Sequence, residues 1–323
     1  MTTFKLLFVS FVFFVVQGFT ALAQYPTRPI TIVVPFTPGG SSDITARNIG
    51  HKLSEILGQS VISDNKPGAN GGIGATYVAK APADGYTLFV GSIGVFAINP
   101  VLYKDLAYDP RRDFDLLSVV VRTPNALVAT ANFPPNTVAE FVDYLKKNPN
   151  RVSFASSGTG SSDHLTAALF WQKTGTTGIH VPYKGGSAAH MDIIAGNSTV
   201  SFQNLGSITQ HVRGGKMKIL AVTADKRDSM FPNTPTMGEA GVPGLDVFSW
   251  QAIVAPRGLP KNVRDKLEGA LAAAYKDAEL ARKFNDIGFE LVGGTSADFA
   301  RFLNEELARW KQVIDAGGIN QND

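Results

Sequence analysis

The sequence predicts an α/β protein of two lobes, each a mostly parallel sheet flanked by helices. Three observations carry this expectation. Strand-like apolar runs alternate with helical patterns along the chain, the signature of strand–helix–strand units. Two glycine- and serine-rich segments, residues 38–43 and 156–164, each follow an apolar run and open a helical pattern. They lie far apart, as expected if each lobe supplies half of a cleft. Two extended stretches, 119–125 and 246–254, run between strand patterns with almost no connector and suit two crossings between lobes.

The strand pattern covers 30–34, 61–63, 87–90, 118–121, 126–129, 152–155, 179–181, 199–202, 218–222, 247–254 and 289–292. Between several of these lie amphipathic segments. Ala46, Ile49, Leu53 and Ile56 share one helical face. Thr137-Val138-Ala139-Glu140 has the form of a capping box ahead of Phe141, Val142 and Leu145. Val263, Leu267, Leu271 and Tyr275 recur every four residues, and Phe299, Leu303, Leu307, Trp310 and Ile314 keep helical spacing near the C-terminus. The crossings place one discontinuous lobe at 24–123 plus 249–323 and the other at 124–248. Two consecutive domains, or one doubly wound sheet, are the competing arrangements.

The N-terminus reads as a secretory signal. Lys5 supplies the positive region, 6–16 is almost wholly apolar, and Ala21-Leu22-Ala23 has the form of a cleavage site before Gln24. The apolar run is short for a membrane span, which needs roughly 20 residues. The remaining chain is long enough for one large or two ordinary domains. Hydrophobic residues make up 44%, enough for a packed core, and the formal net charge is only +3. No basic block occurs, which disfavours nucleic acid as a partner. The chain has no cysteine, which removes disulfides, thiol catalysis and cysteine metal sites together. An exported protein without disulfides suits a bacterial periplasm.

The two glycine–serine turns carry the chemistry. A strand that ends in Gly and Ser and opens a helix presents free N–H groups at a positive dipole end. This holds a carboxylate or phosphate without a charged side chain. Tyr183-Lys184-Gly185-Gly186-Ser187 forms a third such turn, and Gln203-Asn204 stand at a strand end, where the ligand face of an α/β sheet lies. For any single residue, simple turn formation is an equal reading. Asp64 to Gly74 is glycine-rich but is no dinucleotide fingerprint: counted from Gly72 and Gly74, the last glycine position is Tyr77. The five histidines show no metal-ligand spacing. His180 reads as structural, and His164 as either near the ligand or packed. No nucleophile elbow or Walker-type lysine loop occurs.

Residues 25–47 contain Tyr25-Pro26, Arg28-Pro29-Ile30-Thr31, Val33-Val34-Pro35-Phe36, Pro38-Gly39-Gly40, Asp43 and Ala46-Arg47. Asn65-x-Pro67-Gly68-Ala69, Gly71-Gly72-x-Gly74 and Ala81-Pro82-Ala83-Asp84-Gly85-Tyr86-Thr87-Leu88 follow. Then come Ser156-Ser157-Gly158-x-Gly160-Ser161 with His164-Leu165, and His180-Val181-Pro182-Tyr183-Lys184-Gly185. Leu220-Ala221-Val222-Thr223, Pro235-Thr236 with Glu239-Ala240-Gly241, and Trp250 with Ala255-Pro256 complete the series. In this order the blocks resemble the Bug (TctC-like) solute receptors of tripartite tricarboxylate transporters. Asn70 departs from the resemblance, standing where a small residue is common.

The resemblance implies a periplasmic two-lobed "Venus flytrap" of type II-like form that closes on a small organic carboxylate. It implies delivery to membrane transporter components or a sensor domain, a monomer, no cofactor or metal and no catalysis. The competing function is a secreted α/β hydrolase acting in the cleft. Carried onto this chain, the first loop contributes Phe36, Pro38, Gly39, Gly40, Ser41 and Asp43, and the facing loop Ser156, Ser157, Thr159, Gly160 and His164. Tyr183 and Gly185 match a further cleft segment, Ser92 a strand end, and Gln203 and Asn204 variable cleft positions.

Overall fold

The computed structural model describes residues 25–320; the expected signal sequence and its expected cleavage site lie outside the described residues. The chain alternates as expected. β1 (Ile30–Val34), α1 (Ser41–Leu57), β2 (Val61–Asn65), α2 (Gly72–Ala79) and β3 (Thr87–Ser92) come first. A π-helical turn, Gly94–Ile98, leads into the short α3 (Asn99–Leu102) and then β4 (Phe114–Thr130). There follow α4 (Val138–Lys147), β5 (Ser153–Ser156), α5 (Ser162–Thr174), β6 (Ile179–Pro182), α6 (Gly186–Ala195), β7 (Val200–Asn204), α7 (Leu205–Arg213) and β8 (Met217–Val222). The chain ends with β9 (Phe248–Pro256), α8 (Lys261–Ala274), α9 (Ala278–Asn285), β10 (Glu290–Gly293) and α10 (Ser296–Gly317).

One strand belongs to two sheets. The residues expected to form separate strands at 118–121 and 126–129 are both within β4. At roughly 3.3 Å per residue such a strand is about 55 Å long, enough to cross both sheets. Its first part, to Pro124, pairs antiparallel with β9, and β10 pairs along its other edge at 119–122. From Asn125 onward it pairs with β7 on one side and, from Ala126, with β8 on the other. The switch falls at Pro124, a residue with no N–H to give to a ladder. The first sheet runs β2-β1-β3-β9-β4 and the second β4-β7-β5-β6. The parallel pairing expected from the alternation holds in the outer strands, β2-β1-β3 and β7-β5-β6. The centre is antiparallel, because β4 and β9 carry the chain between lobes in opposite directions. The fold is a two-lobed α/β architecture built on a mixed sheet.

Each sheet is covered on both faces, so its strands read as continuous apolar runs. Ile30, Ile32 and Val34 enter one core while Val33 enters the opposite one. Leu88 and Val90 likewise face away from Phe89. In the second sheet Leu127 and Ala129 pack on one side, Ala126 and Val128 on the other. This two-residue period fixes the register, since a slip of one residue would invert every side chain. The α4 start departs slightly from the expected capping box. Thr137 Oγ1 accepts from Glu140 N–H (3.1 Å), but Glu140 reaches back to Asn136 N–H (2.7 Å), one residue earlier.

Candidate functional site

The β1–α1 turn is shaped before it meets any ligand. Gly39 adopts φ 86°, a conformation that favours glycine, whereas Gly40 (φ −84°) is extended. Asp43, one turn into α1, accepts from Gly39 N–H (2.9 Å), Arg47 Nε (2.9 Å) and Asn65 Nδ2 (3.0 Å). Burial works against its ionisation, but Arg47, the Gly39 N–H and Asn65 outweigh it and hold the carboxyl below its ordinary range. Asp43 therefore fixes the loop from behind. The β5–α5 turn has a parallel device: Asp163 accepts from Ser157 N–H (2.9 Å) and from the Ser157 and Ser162 hydroxyls.

These turns face each other across a cavity of about 30 Å³. On the first-sheet side its wall is Phe36, Gly40, Ser41, Ser42, Ser92, Ser249 and Gln251. On the other side it is Ser157, Ser161, Ser162, Asp163, Gly186, Gln203, Asn204 and Ser207. The N-terminal ends of α1, α5, α6 and α7 all contribute to this wall. Four positive dipole ends and a ring of hydroxyl and amide groups converge there, with no Lys or Arg in the wall. The arrangement suits a small anion held by hydrogen bonds. No cluster of His, Asp and Glu among the described residues is arranged to hold a metal.

The wall side chains are held by second partners. Ser42 Oγ donates to Gln251 Oε1 (2.7 Å), and Gln251 Nε2 donates to Ser249 Oγ (3.3 Å). Gln203 Oε1 accepts from His190 Nε2 (2.8 Å), while its amide nitrogen donates to Ser201 Oγ (2.7 Å). Burial lowers the His190 pKa to about 4, so the ring is neutral and carries its proton toward Gln203. Asn204 Nδ2 donates to Asn125 Oδ1 (2.6 Å), and its Oδ1 accepts from Ser41 Oγ (2.9 Å), a bond that spans the cleft.

The lobes touch beyond the wall. Thr37 Oγ1 and Ser187 Oγ share a 2.8 Å hydrogen bond, and Thr37 N–H donates to Lys184 O (3.3 Å). Tyr103 Oη donates to Thr159 O (3.0 Å). Asn70 takes a left-handed conformation (φ 44°), which asparagine tolerates, and its amide donates to Asn99 Oδ1 (2.9 Å). It lies against Gly158 and Gly160 of the opposing turn. A cavity of this size admits about one water, so the structure is a closed form.

Of the residues expected from sequence, the structure brings Phe36, Gly40, Ser41, Ser92, Ser157, Gln203 and Asn204 to the cavity wall. The others lie outside it. Pro38, Gly39 and Asp43 build the first turn. Ser156 ends β5 and is 1% exposed; its Oγ lies 2.7 Å from His180 Nε2 and accepts from Gly158 N–H. Gly160 N–H donates to His164 Nδ1, and the buried His164 ring stacks on His180 at 4.0 Å. Tyr183 Oη donates to Asp192 (2.6 Å), and Gly185 abuts Thr37. Sequence reasoning did not single out Ser42, Ser161, Ser162, Asp163, Gly186, Ser207, Ser249 or Gln251 as wall residues.

Comparison with known proteins decides the family. The model described as "Tripartite tricarboxylate transporter family receptor" matches residues 45–319. The chain belongs to this receptor family. It is 32% identical to BugT of Bordetella pertussis over 97% of this chain and 98% of that protein. An R. palustris protein solved with adipate superposes with TM-score 0.89 at 39% identity, covering 92% of this chain and 99% of that one. MatC from Rhodopseudomonas palustris with bound malate gives 0.86 at 31% identity, covering 90% and 100%. The receptor is thus a periplasmic solute-binding protein, as the sequence blocks imply.

Proposed function

We propose that this receptor captures a small organic carboxylate between lobes 24–123 plus 249–323 and 124–248, without transforming it. It works in the periplasm after cleavage before Gln24 and hands its cargo, as a monomer, to a tripartite tricarboxylate-type transporter or a sensor. The convergence of four helix N-termini on a wall of neutral donors is the observation that carries this reading. The adipate and malate bound by its structural relatives support the same ligand class. The expected ligand contacts are the first turn at Phe36, Gly40 and Ser41 with Ser92, and the opposing Ser157, Gln203 and Asn204. Asp43, Gly39 and Pro38 shape the first turn from outside the wall.

Uptake requires the lobes to part, because the closed cavity holds about one water. Closure then excludes solvent and strengthens each hydrogen bond to the anion. The Ser156–His180 pair is no counter-argument, since Ser156 is buried outside the wall. The test is native mass spectrometry of the purified receptor followed by a thermal-shift screen of carboxylates. A stabilising carboxylate recovered unchanged after hours of incubation supports the reading. Multiple-turnover conversion would replace it with the hydrolase alternative.

A further inference from the structure

The cleft wall has no arginine, yet arginines gather around a second cavity. This cavity, of about 220 Å³, lies where β4 begins, and Leu116 is part of its wall. The point at which β4 changes sheets, Pro124, is about 26 Å further along the strand at roughly 3.3 Å per residue. The two cavities share no residue. Arg111, Arg257 and Arg264 line the second one together with Ser296 and Asn304, and the rest of its wall is apolar. No carboxylate stands in that wall. Asp115, buried and outside it, is shared: Oδ1 meets Arg264 at 2.5 Å and Arg257 at 3.4 Å, while Oδ2 accepts from Gly258 N–H (2.9 Å) and Leu259 N–H (2.7 Å). Asp109, also outside the wall, is shared in the same way by Arg112 at 3.0 Å and Arg111 at 3.6 Å. Asp113 accepts from Asp109 N–H and does not reach the cavity. Each guanidinium has several N–H donors, so most of those on the three wall arginines have no protein partner among the described residues. Like charges gathered on one cavity repel each other, and a bound anion relieves that repulsion.

We propose that this pocket is a second anion site, outside the cleft, and that it takes a phosphate group with a free terminal PO₃ end. Three guanidinium forks match the geometry of phosphate oxygens, which arginine binds through paired N–H donors. The Ser296 hydroxyl and the Asn304 amide supply further donors. The cavity is smaller than a pocket for a drug-sized molecule, which starts at about 300 Å³. It therefore suits a headgroup rather than a large solute. Inorganic phosphate and the phosphomonoester headgroup of a membrane lipid share this chemistry, and the lipid would hold the receptor at a membrane surface.

The test is calorimetry of the mature receptor with inorganic phosphate at constant ionic strength, beside co-sedimentation with phosphatidylcholine vesicles with and without phosphatidic acid. Arg111→Gln/Arg257→Gln removes two exposed guanidiniums and leaves Arg264 on Asp115. Lys146→Gln/Lys147→Gln, in α4 of the other lobe, removes the same charge far from the pocket. The arginine variant should lose more than about tenfold in phosphate or vesicle binding, and the lysine variant less than about twofold. Phosphate binding without sedimentation assigns free phosphate as the occupant, and sedimentation that requires phosphatidic acid assigns the lipid headgroup. No binding of either by the unaltered receptor overturns the proposal. So does an equal loss in both variants, which is the mark of unspecific charge attraction, or an undiminished affinity in the arginine variant, which would put the phosphate in the cleft. Arg111→Gln alone, whose side chain meets only Asp109, gives the same comparison if the double variant fails to fold.

Discussion

Thr37 and Ser187, 150 residues apart in sequence, meet in a 2.8 Å hydrogen bond between hydroxyls at the edge of the closed cavity. Thr37 precedes the α1 turn and Ser187 stands in the first turn of α6, so the bond exists only when the lobes are together. Closure and binding are linked, and any contact present only in the closed form adds to apparent affinity. Thr37→Ala and Ser187→Ala should each weaken binding roughly fivefold, equivalent to about 1 kcal/mol for one hydrogen bond. Because each removes the same bond, the double variant should lose no more than either single one. Calorimetry with any stabilising carboxylate measures this, and additive losses would show that the hydroxyls act separately.

Gly40 offers a sharper probe of closure. Its φ of −84° is open to any residue, so a side chain there need not strain the turn. A Cβ would stand 3.7 Å from Gly186 N and 3.8 Å from Ser187 N, and the extra methyls of valine would extend into the opposing turn. Gly40→Val should hold the lobes apart. Stability should fall by about 1 kcal/mol through the poorer N-cap, while affinity drops more than about tenfold. Small-angle scattering should show no compaction on adding ligand. Normal closure in this variant would mean that the two turns approach less tightly than their separation here.

Much of this arrangement was legible in the sequence, for identifiable reasons. Strands covered on both faces read as apolar runs, and turns that present N–H groups must be glycine- and serine-rich, so 38–43 and 156–164 stood out. In sequence β4 resembles two strands, because Arg122-Thr123-Pro124 interrupts the apolar run where the strand changes sheets. Ser249 and Gln251 give no such signal, because polar residues at alternate positions look like an ordinary solvent-facing strand edge. In the structure both are at most 1% exposed and line the cavity. Polar positions inside the run Phe248–Pro256 were the available signal. In sequence Asp163 is one more residue of a turn, and only the tertiary structure brings it to the cavity wall.

Asn204 joins the two halves of the site through its amide. Asn204→Ala would remove the acceptor of Ser41 Oγ and the donor to Asn125 Oδ1. Asn125 is fully buried and would keep an unpartnered oxygen, which costs about 1–3 kcal/mol. Denaturant unfolding should register this loss in the free protein, and binding should weaken further through the lost bridge. Asn204→Asp should not rescue it, because a carboxylate cannot donate to Asn125.

The N-terminal series Lys5, residues 6–16 and Ala21-Leu22-Ala23 predicts a mature protein that starts at Gln24. Osmotic shock should release it, and N-terminal sequencing should read Gln24-Tyr25-Pro26. Retention of Met1 in a membrane fraction would overturn the cleavage.

Acid should destabilise the receptor in a defined window. Burial lowers the pKa of His164 to about 3, with nearby His180 contributing, and that of His190 to about 4. Both would titrate near the ordinary histidine value of about 6.5 when unfolded. Between these values the unfolded chain binds protons that the folded protein refuses, so stability falls as pH falls. The contribution is fully present above pH 6.5 and is lost progressively toward pH 4 for His190 and pH 3 for His164. Each histidine adds a slope of roughly 1.4 kcal/mol per pH unit within its window. His164→Gln should flatten the fall, because glutamine can still accept from Gly160 N–H without taking a proton. Unfolding free energies measured from pH 7 to pH 4.5 give the slope directly. An unchanged slope in the variant would mean that His164 is protonated in the folded protein as readily as in the unfolded chain.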